Sequence, residues 1–106
     1  YEISRCDWSS DVCSSDLTEL ASTIAERARS PVGASPSYTQ RLLADRNLRL
    51  KKLGEECAEL VTALADGDRA RAAEEAADVL YHVLVAAHAG GVTLQDIEQV
   101  LAGRAR

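Results

Sequence analysis

Two pairs of acidic residues lie at mirror-image distances from one glycine. Glu56 and Glu59 come eleven and eight residues before Gly67, and Glu75 and Asp78 come eight and eleven residues after it. In an antiparallel helical hairpin that turns at Gly67, residues equidistant from the turn lie level, so we expect Glu59 to face Glu75 and Glu56 to face Asp78. Crowded carboxylates repel one another and are costly to desolvate unless a cation joins them, and Mg²⁺ prefers oxygen ligands. The spacing therefore predicts a Mg²⁺ site, and Mg²⁺ suggests a substrate that carries phosphate.

The same symmetry extends to a cation and an imidazole, because Lys52 and His82 are each fifteen residues from Gly67. His82 shares a helix face with the second acidic pair, which favours a role in orienting a carboxylate or contacting substrate. The alternative for any single acid is an ordinary solvated position, in which Glu55 or Glu59 balances a neighbouring base. That alternative is weaker for the whole set, because like charges three residues apart on a helix are destabilising.

The elements that position these residues are helical by their spacing and capping signals. Ser37 and Gln40 form the pattern of a capping box, Gly67 and Asp68 are suited to end one helix and begin the next, and Thr93 with Asp96 begins another. The expected helices span residues 17–29, a short segment after 37, 48–65, 69–89 and a last segment after 93. The fold class is thus all-α, a hairpin bundle of four to five helices.

One face of the long helix over residues 48–65 is apolar, so we expect it to pack inward. We expect Cys57, which lies on this face, to be a small core residue. The second long helix carries many small apolar residues and is expected to be buried on two sides. The apolar residues of the helix over residues 48–65 are Leu50, Leu53, Cys57, Leu60, Val61 and Leu64.

The start of the chain differs in character from the rest. The segment from Asp7 to Leu17 resembles the translation of a DNA sequencing adapter, so residues 1–16 are interpreted as a non-native or disordered extension and 17–106 as the domain. Residues 1–16 hold four acids and one base, and without them the net charge is −2 rather than −5. Only Cys57 then remains, which excludes a disulfide framework and a cysteine zinc site within the domain.

Composition excludes several classes of function. The domain is mildly acidic and has neither a basic stripe nor an aromatic platform, which argues against nucleic-acid binding. It contains no apolar run long enough to cross a bilayer and no leader with basic residues before apolar ones, so we expect no membrane association and a cytoplasmic location. At this size a single core is only modestly stable, which favours an oligomer.

The pattern of Glu55, Glu56 and Glu59 followed by Glu75 and Asp78 resembles the signature of the all-α NTP pyrophosphohydrolase superfamily that includes MazG-type enzymes. Four further segments resemble the phosphoribosyl-ATP pyrophosphohydrolase family within it. These segments are the run from Leu50 to Glu56, the run Glu75-Ala76-Ala77-Asp78-Val79-Leu80-Tyr81-His82 and the run Gly91-Val92-Thr93-Leu94-Gln95-Asp96-Ile97, beside Ser37-Tyr38-Thr39.

The resemblance implies a MazG-like homodimer that hydrolyses 1-(5-phospho-β-D-ribosyl)-ATP to its AMP counterpart and pyrophosphate with Mg²⁺, in histidine biosynthesis. Either Glu55 or Glu56 is expected to act as general base, and Lys52 to offset charge on the departing pyrophosphate. Expected metal ligands are Glu56, Glu59, Glu75 and Asp78, and expected substrate contacts are Ser37, Tyr38, Thr39, Arg49, Lys51 and His82.

Two other functions remain open at this point. A sister enzyme of the same superfamily would remove damaged or non-canonical nucleoside triphosphates with the same acidic motif. A non-catalytic helical dimerisation module would leave its carboxylates in solvent and gain no stability from divalent cations.

Overall fold

The computed structural model describes residues 17–105, and these residues form five α-helices without a strand. The expected all-α class is therefore confirmed. Residues 1–16, which include most of the adapter-like segment, and Arg106 lie outside the described residues. The helices are α1 (Leu17–Arg29), α2 (Tyr38–Ala44), α3 (Arg46–Asp66), α4 (Arg69–Ala89) and α5 (Leu94–Arg104).

Both predicted capping boxes are confirmed. Ser37 Oγ accepts a hydrogen bond from the Gln40 backbone N–H at 3.1 Å, and Gln40 Oε1 accepts one from the Ser37 N–H at 3.0 Å. Thr93 and Asp96 make the same reciprocal pair at the start of α5. Each box satisfies two backbone donors that the first turn of a helix leaves unpaired.

Helix α3 begins two residues earlier than the sequence predicted, at Arg46 rather than Leu48. The reason is Asp45, whose Oδ1 accepts a hydrogen bond from the Leu48 N–H at 3.0 Å. An aspartate in this extended conformation is a favourable N-cap. The signal was present in the sequence, but the preceding helix ends immediately before it and hides the boundary.

The turn between α3 and α4 is built as predicted around Gly67. Its φ of 72° lies in the left-handed region that glycine adopts without steric cost. The N–H of Asp68 returns to the Ala63 carbonyl at 3.2 Å, and Asp68 Oδ1 then accepts from the Arg71 N–H at 3.1 Å. One short segment therefore ends α3 and caps α4, so the two helices run antiparallel side by side.

The core lies where α1 and α2 pack against α4. Thr39 is completely buried there, and its hydroxyl lies 2.6 Å from the Tyr81 hydroxyl, so two polar groups in the core satisfy each other. This contact ties α2 to α4 beside the acidic residues of the hairpin. The apolar part of this core consists of Leu20, Ile24, Leu42, Tyr81, Leu84 and Val85.

The expectation that the apolar face of α3 packs inward is wrong within one chain for most of that face, and only Leu53 and Leu60 of the predicted set are half-buried. Leu50, Val61 and Leu64 are 45%, 65% and 62% exposed, and Cys57 is exposed rather than a core residue. The buried residues of α3 are Glu56 and Ala63, which lie on another side of the helix. Helical spacing identified the apolar face correctly but could not show which side of α3 the remaining helices would cover.

In the part of the chain that the structure describes, no single helix is long and apolar enough to cross a membrane. Helices α4 and α5 would be long and apolar enough only if they were counted as one span, and they are bent by 109° relative to each other.

The turn at Gly67 provides a direct test of the hairpin. We expect Gly67→Ala to lower the free energy of unfolding by about 1 to 2 kcal/mol, since a Cβ is disfavoured at this φ. Gly103→Ala is the matched control: its site in α5 is also open but has no positive φ, so the higher helix propensity of alanine should stabilise by up to about 1 kcal/mol. Urea denaturation measures both, and equal effects would contradict the role of Gly67.

Candidate active site

The hairpin brings three predicted metal ligands together on one side. One carboxylate oxygen each from Glu56, Glu75 and Asp78 lies within 4.8 Å of the other two. Glu56 comes from α3, and the other two come from α4. We call these three residues the acidic cluster.

Glu59, the fourth predicted ligand, is exposed and lies outside this group of three, although its proximity contributes to the raised pKa of Glu75. Glu59 therefore lies near Glu75, as the spacing about Gly67 predicts. Two ionised carboxylates repel each other, and neither has a donor to offer the other.

Burial and the crowding of like charges raise the pKa of two carboxyl groups in the cluster. Burial is the main cause that raises the pKa of Glu56, and the charges of Glu59 and Asp78 raise it further against the opposing effect of Lys52. Burial likewise raises the pKa of Glu75, followed by the nearby carboxyl group of Glu59. Both carboxyl groups are thus costly to ionise as they stand.

A divalent cation fits this donor set. Glu75 Oε1 is buried and has no hydrogen-bond partner among residues 17–105. The nearest base to Glu75 is Arg71, whose Nε lies 3.9 Å from the other oxygen, Oε2. Carboxylate oxygens are the ligands that Mg²⁺ prefers, and a cation would satisfy the unpaired oxygen and offset the repulsion. The expected cation site is therefore chemically reasonable at the acidic cluster.

Lysines and Glu55 form a second group beside the cluster. Lys52 Nζ lies 3.4 Å from Glu55 Oε1 and 3.9 Å from Glu56 Oε2, and Lys51 Nζ is 4.0 Å from Glu55 Oε2. Burial lowers the pKa of Lys52, but Tyr38, Glu55 and Glu56 outweigh it and raise the pKa overall. Lys52 is therefore cationic at neutral pH. The ion pairs of Glu55 match the alternative in which it balances neighbouring lysines.

Tyr38 and His82 border the cluster and are joined to each other. His82 Nδ1 is 2.8 Å from the Asp78 backbone carbonyl, so Nδ1 must carry the proton that it donates. Burial lowers the pKa of His82, and the neutral ring therefore presents Nε2 as an acceptor to the Tyr38 hydroxyl at 3.2 Å. Burial also raises the pKa of Tyr38, so its hydroxyl stays protonated as the donor. Arg41 lies over the Tyr38 ring at 5.5 Å.

The other predicted substrate contacts have structural partners. The Thr39 side chain is buried against Tyr81 and does not reach the surface. Arg49 Nη1 donates to the carbonyls of Leu42 and Leu43 at 3.3 and 3.1 Å, which satisfies the end of α2. Ser37 is the N-cap of α2. The structure thus brings Lys52, Tyr38 and His82 to the acidic cluster, whereas Arg49 is turned towards α2.

Two contacts at the site were not predicted. Arg71 pairs with Glu75, and Arg41 stacks on Tyr38. The first had a sequence signal, because Arg71 precedes Glu75 by four residues on one helix. The second depends on how α2 is oriented and had no clear signal.

The chain matches a known protein family over the described residues. A family model described as phosphoribosyl-ATP pyrophosphohydrolase matches residues 17–105. The chain belongs to this family. The match begins at α1 and includes all five helices, hence both halves of the hairpin and the acidic cluster.

Individual relatives agree with the family match. The chain is 43% identical to phosphoribosyl-ATP pyrophosphatase 1 of Rhodopseudomonas palustris over 83% of its own length and 81% of the relative. It is 45% identical to the phosphoribosyl-ATP pyrophosphatase of Nitrobacter winogradskyi over 83% and 75% of the two chains. It also matches part of the histidine biosynthesis bifunctional protein HisIE of Prochlorococcus marinus. The identity is 42%, and the match covers 90% of this chain and 41% of that relative. The resemblance to this family is therefore confirmed.

Removing the charge of one cluster carboxylate tests two effects: the repulsion that destabilises the protein without metal, and the stabilisation that a bound cation provides. We expect Glu75→Gln to raise the unfolding temperature in EDTA and to abolish the further rise that Mg²⁺ gives the parent protein. A raised folded-state pKa means that Glu75 opposes folding as pH rises through that pKa, so the gain in EDTA should be larger at pH 7 than near pH 4.

The control is Glu26→Gln on α1, because Glu26 is exposed and lies on neither helix of the hairpin. This variant should keep the full Mg²⁺ response and show no pH-dependent gain. An unchanged Mg²⁺ response in Glu75→Gln would contradict the cation site.

Proposed function

We propose that this protein hydrolyses 1-(5-phospho-β-D-ribosyl)-ATP to 1-(5-phospho-β-D-ribosyl)-AMP and pyrophosphate, a step of histidine biosynthesis. The observation that carries the proposal is the cluster of Glu56, Glu75 and Asp78 oxygens within 4.8 Å of one another, in a chain whose relatives are named for this reaction. The geometry supplies a place for a cation, and family membership supplies the substrate.

The acidic cluster would hold Mg²⁺, with Glu59 as a further ligand from the exposed side of α3. When bound, the cation supplies positive charge that offsets the triphosphate oxygens and polarises the phosphoryl group under attack. Lys52, held beside Glu56, would pair with the departing pyrophosphate. Lys51, which is more exposed, would add to the positive charge at the mouth of the site.

Two adjacent glutamates are candidates for accepting a proton from the attacking water. Glu56 has a raised pKa, which makes it a stronger proton acceptor than an ordinary glutamate, but it also belongs to the acidic cluster. Glu55 is more exposed and pairs with both lysines. If Glu55 is the base, Glu55→Gln should lower kcat while leaving the affinity for Mg²⁺ unchanged.

Tyr38 and His82 would position the ribosyl or nucleotide part of the substrate. His82 is fixed at both ring nitrogens, by the Asp78 carbonyl and by Tyr38, so it can orient the Tyr38 hydroxyl without changing protonation. Ser37 begins α2, where backbone donors favour a phosphate or hydroxyl oxygen. A contact by Thr39 or Arg49 would require these side chains to leave their present partners.

The active protein would be a homodimer that covers the exposed apolar face of α3. Leu50, Val61 and Leu64 lie on this face, whereas the buried Glu56 lies on another side of α3. Dimerisation through this face would bury large apolar side chains and leave the acidic cluster open to substrate. Burial of apolar area at about 25 cal/mol per Å² would add stability that a domain of this size otherwise lacks.

The reaction is tested by pyrophosphate release. We expect Glu56→Gln and Asp78→Asn each to lower kcat/KM by about 100-fold or more, since even the loss of an outer partner of a metal ligand costs roughly 10- to 100-fold. Circular dichroism should show unchanged helical content, and Glu26→Gln should retain activity. Full activity in both cluster variants would overturn the assignment.

Substrate identity is tested with the same assay on a panel of free nucleoside triphosphates. We expect phosphoribosyl-ATP to give the highest kcat/KM. A preference for a free triphosphate would indicate the sister activity that removes non-canonical nucleotides.

The dimer is tested by placing charged residues on the exposed apolar face of α3. We expect the double variant Val61→Glu, Leu64→Glu to sediment as a monomer in analytical ultracentrifugation, because two carboxylates cannot be buried without partners. Val100→Glu, Leu101→Glu is the matched control, since these α5 residues are 51% and 59% exposed. It should remain a dimer, and a dimeric α3 variant would contradict the interface.

A further inference from the structure

A cationic side chain lies beside Tyr38 without a carboxylate partner. Arg41 is exposed, and its guanidinium carbon Cζ lies 5.5 Å from the centre of the Tyr38 ring. Within residues 17–105 no ion pair joins Arg41 to an acid, whereas Lys52 Nζ lies 3.4 Å from Glu55 Oε1. The charge of Arg41 is therefore not offset by the described part of the chain, and an anion from solution can approach it.

The orientation of α2 is fixed by its buried side. Thr39 and Leu42 are completely buried, and the Thr39 hydroxyl lies 2.6 Å from the Tyr81 hydroxyl on α4. Tyr38 and Arg41 are three residues apart on α2, so they share the face next to this buried side. The contacts that bury Thr39 and Leu42 therefore also determine where Tyr38 and Arg41 lie.

Tyr38 connects this face of α2 to the acidic cluster. Its hydroxyl is 3.2 Å from His82 Nε2, and His82 Nδ1 is 2.8 Å from the backbone carbonyl of Asp78. Burial raises the pKa of Tyr38, and the positive charges of Lys52 and Arg41 oppose that rise. Tyr38 thus lies near Lys52 at the cluster and near Arg41 on α2, so a molecule lying against Tyr38 would meet both cations.

The proposed substrate carries phosphate at two separate places. Its triphosphate is the group that reacts, and a cation at the acidic cluster would bind it. Its other phosphate is on the 5-position of the second ribosyl group, takes no part in the hydrolysis and is absent from a free nucleoside triphosphate. Arginine binds phosphate through parallel N–H donors, and stacking on an aromatic ring leaves the donors at the edge of the guanidinium free.

We propose that Arg41 binds the 5-phosphate of the second ribosyl group and thereby selects phosphoribosyl-ATP over free nucleoside triphosphates. This inference rests on the proposed function and adds a residue that determines its specificity. Tyr38 holds the guanidinium in place and lies between the two phosphate-bearing ends of the substrate. Lys52 and the acidic cluster act on the triphosphate of either kind of substrate, so Arg41 has no part in the bond that breaks.

Binding of two nucleotides that cannot undergo the reaction tests Arg41 directly. Isothermal titration calorimetry of the full chain with Mg²⁺ compares phosphoribosyl-AMP, which keeps the 5-phosphate, with AMP, which lacks it. We expect Arg41→Gln to weaken phosphoribosyl-AMP binding by about 10- to 100-fold, as for the loss of hydrogen bonds to a charged group, and to leave AMP binding unchanged. Arg41→Lys, which keeps the charge but not the paired donors, should lie between the two.

The matched control is Arg104→Gln, which removes the same charge from an exposed position on α5. It should bind both nucleotides as the parent protein does. Equal losses for the two nucleotides in Arg41→Gln would indicate a structural role and overturn the assignment, as would a parent protein that binds them with equal affinity.

Kinetics separate this inference from the proposed reaction. In Arg41→Gln, KM for phosphoribosyl-ATP should rise by a similar factor while kcat stays near that of the parent, and kcat/KM for free ATP should not change. A parent protein that releases no pyrophosphate from phosphoribosyl-ATP would overturn the proposed function, while a selective loss of phosphoribosyl-AMP binding would still support the role of Arg41. An active parent whose preference survives Arg41→Gln would overturn the role of Arg41 alone.

Discussion

The turn at Gly67 is the constraint on which the site depends. Because glycine adopts a φ of 72° there without strain, α3 ends and α4 begins within two residues. So short a connection leaves little freedom in the register of the two helices. That register places Glu56 beside Glu75 and Asp78, and it therefore brings three acids from two helices into one crowded group. A slip of one residue would rotate Glu56 away from α4.

The crowded acids cost stability, and the surrounding structure keeps them in place. Burial and mutual repulsion raise the pKa of Glu56 and of Glu75, so both are held in a less favourable state than in water. The core contact between Thr39 and Tyr81 and the hydrogen bond between His82 and Tyr38 both hold α4 against α2 beside these residues. Local strain of this kind is typical of a site that is completed by a ligand.

Sequence spacing predicted the hairpin well because its signals are local. Helical periodicity, the capping residues Ser37, Asp68 and Thr93, and the glycine in the turn each act over a few residues. What the sequence did not predict is which face of α3 the rest of the chain would cover. Cys57 has apolar neighbours at helical spacing whether it faces its own core or a second copy, so the pattern alone cannot distinguish the two. Similarly, nothing local indicated that Thr39 would be buried and Arg49 turned to the end of α2.

The exposed apolar face of α3 and the acidic cluster depend on each other, because α3 carries both that face and Glu56. A helix that presents acids on one side must be stabilised by burial on another, and within one chain the buried residues of α3 are Glu56 and Ala63. Leu50, Val61 and Leu64 would supply the missing burial only against another surface. Association would then do more than add area: it would hold straight the helix that carries Glu56, and so fix the distance between Glu56 and the two acids of α4.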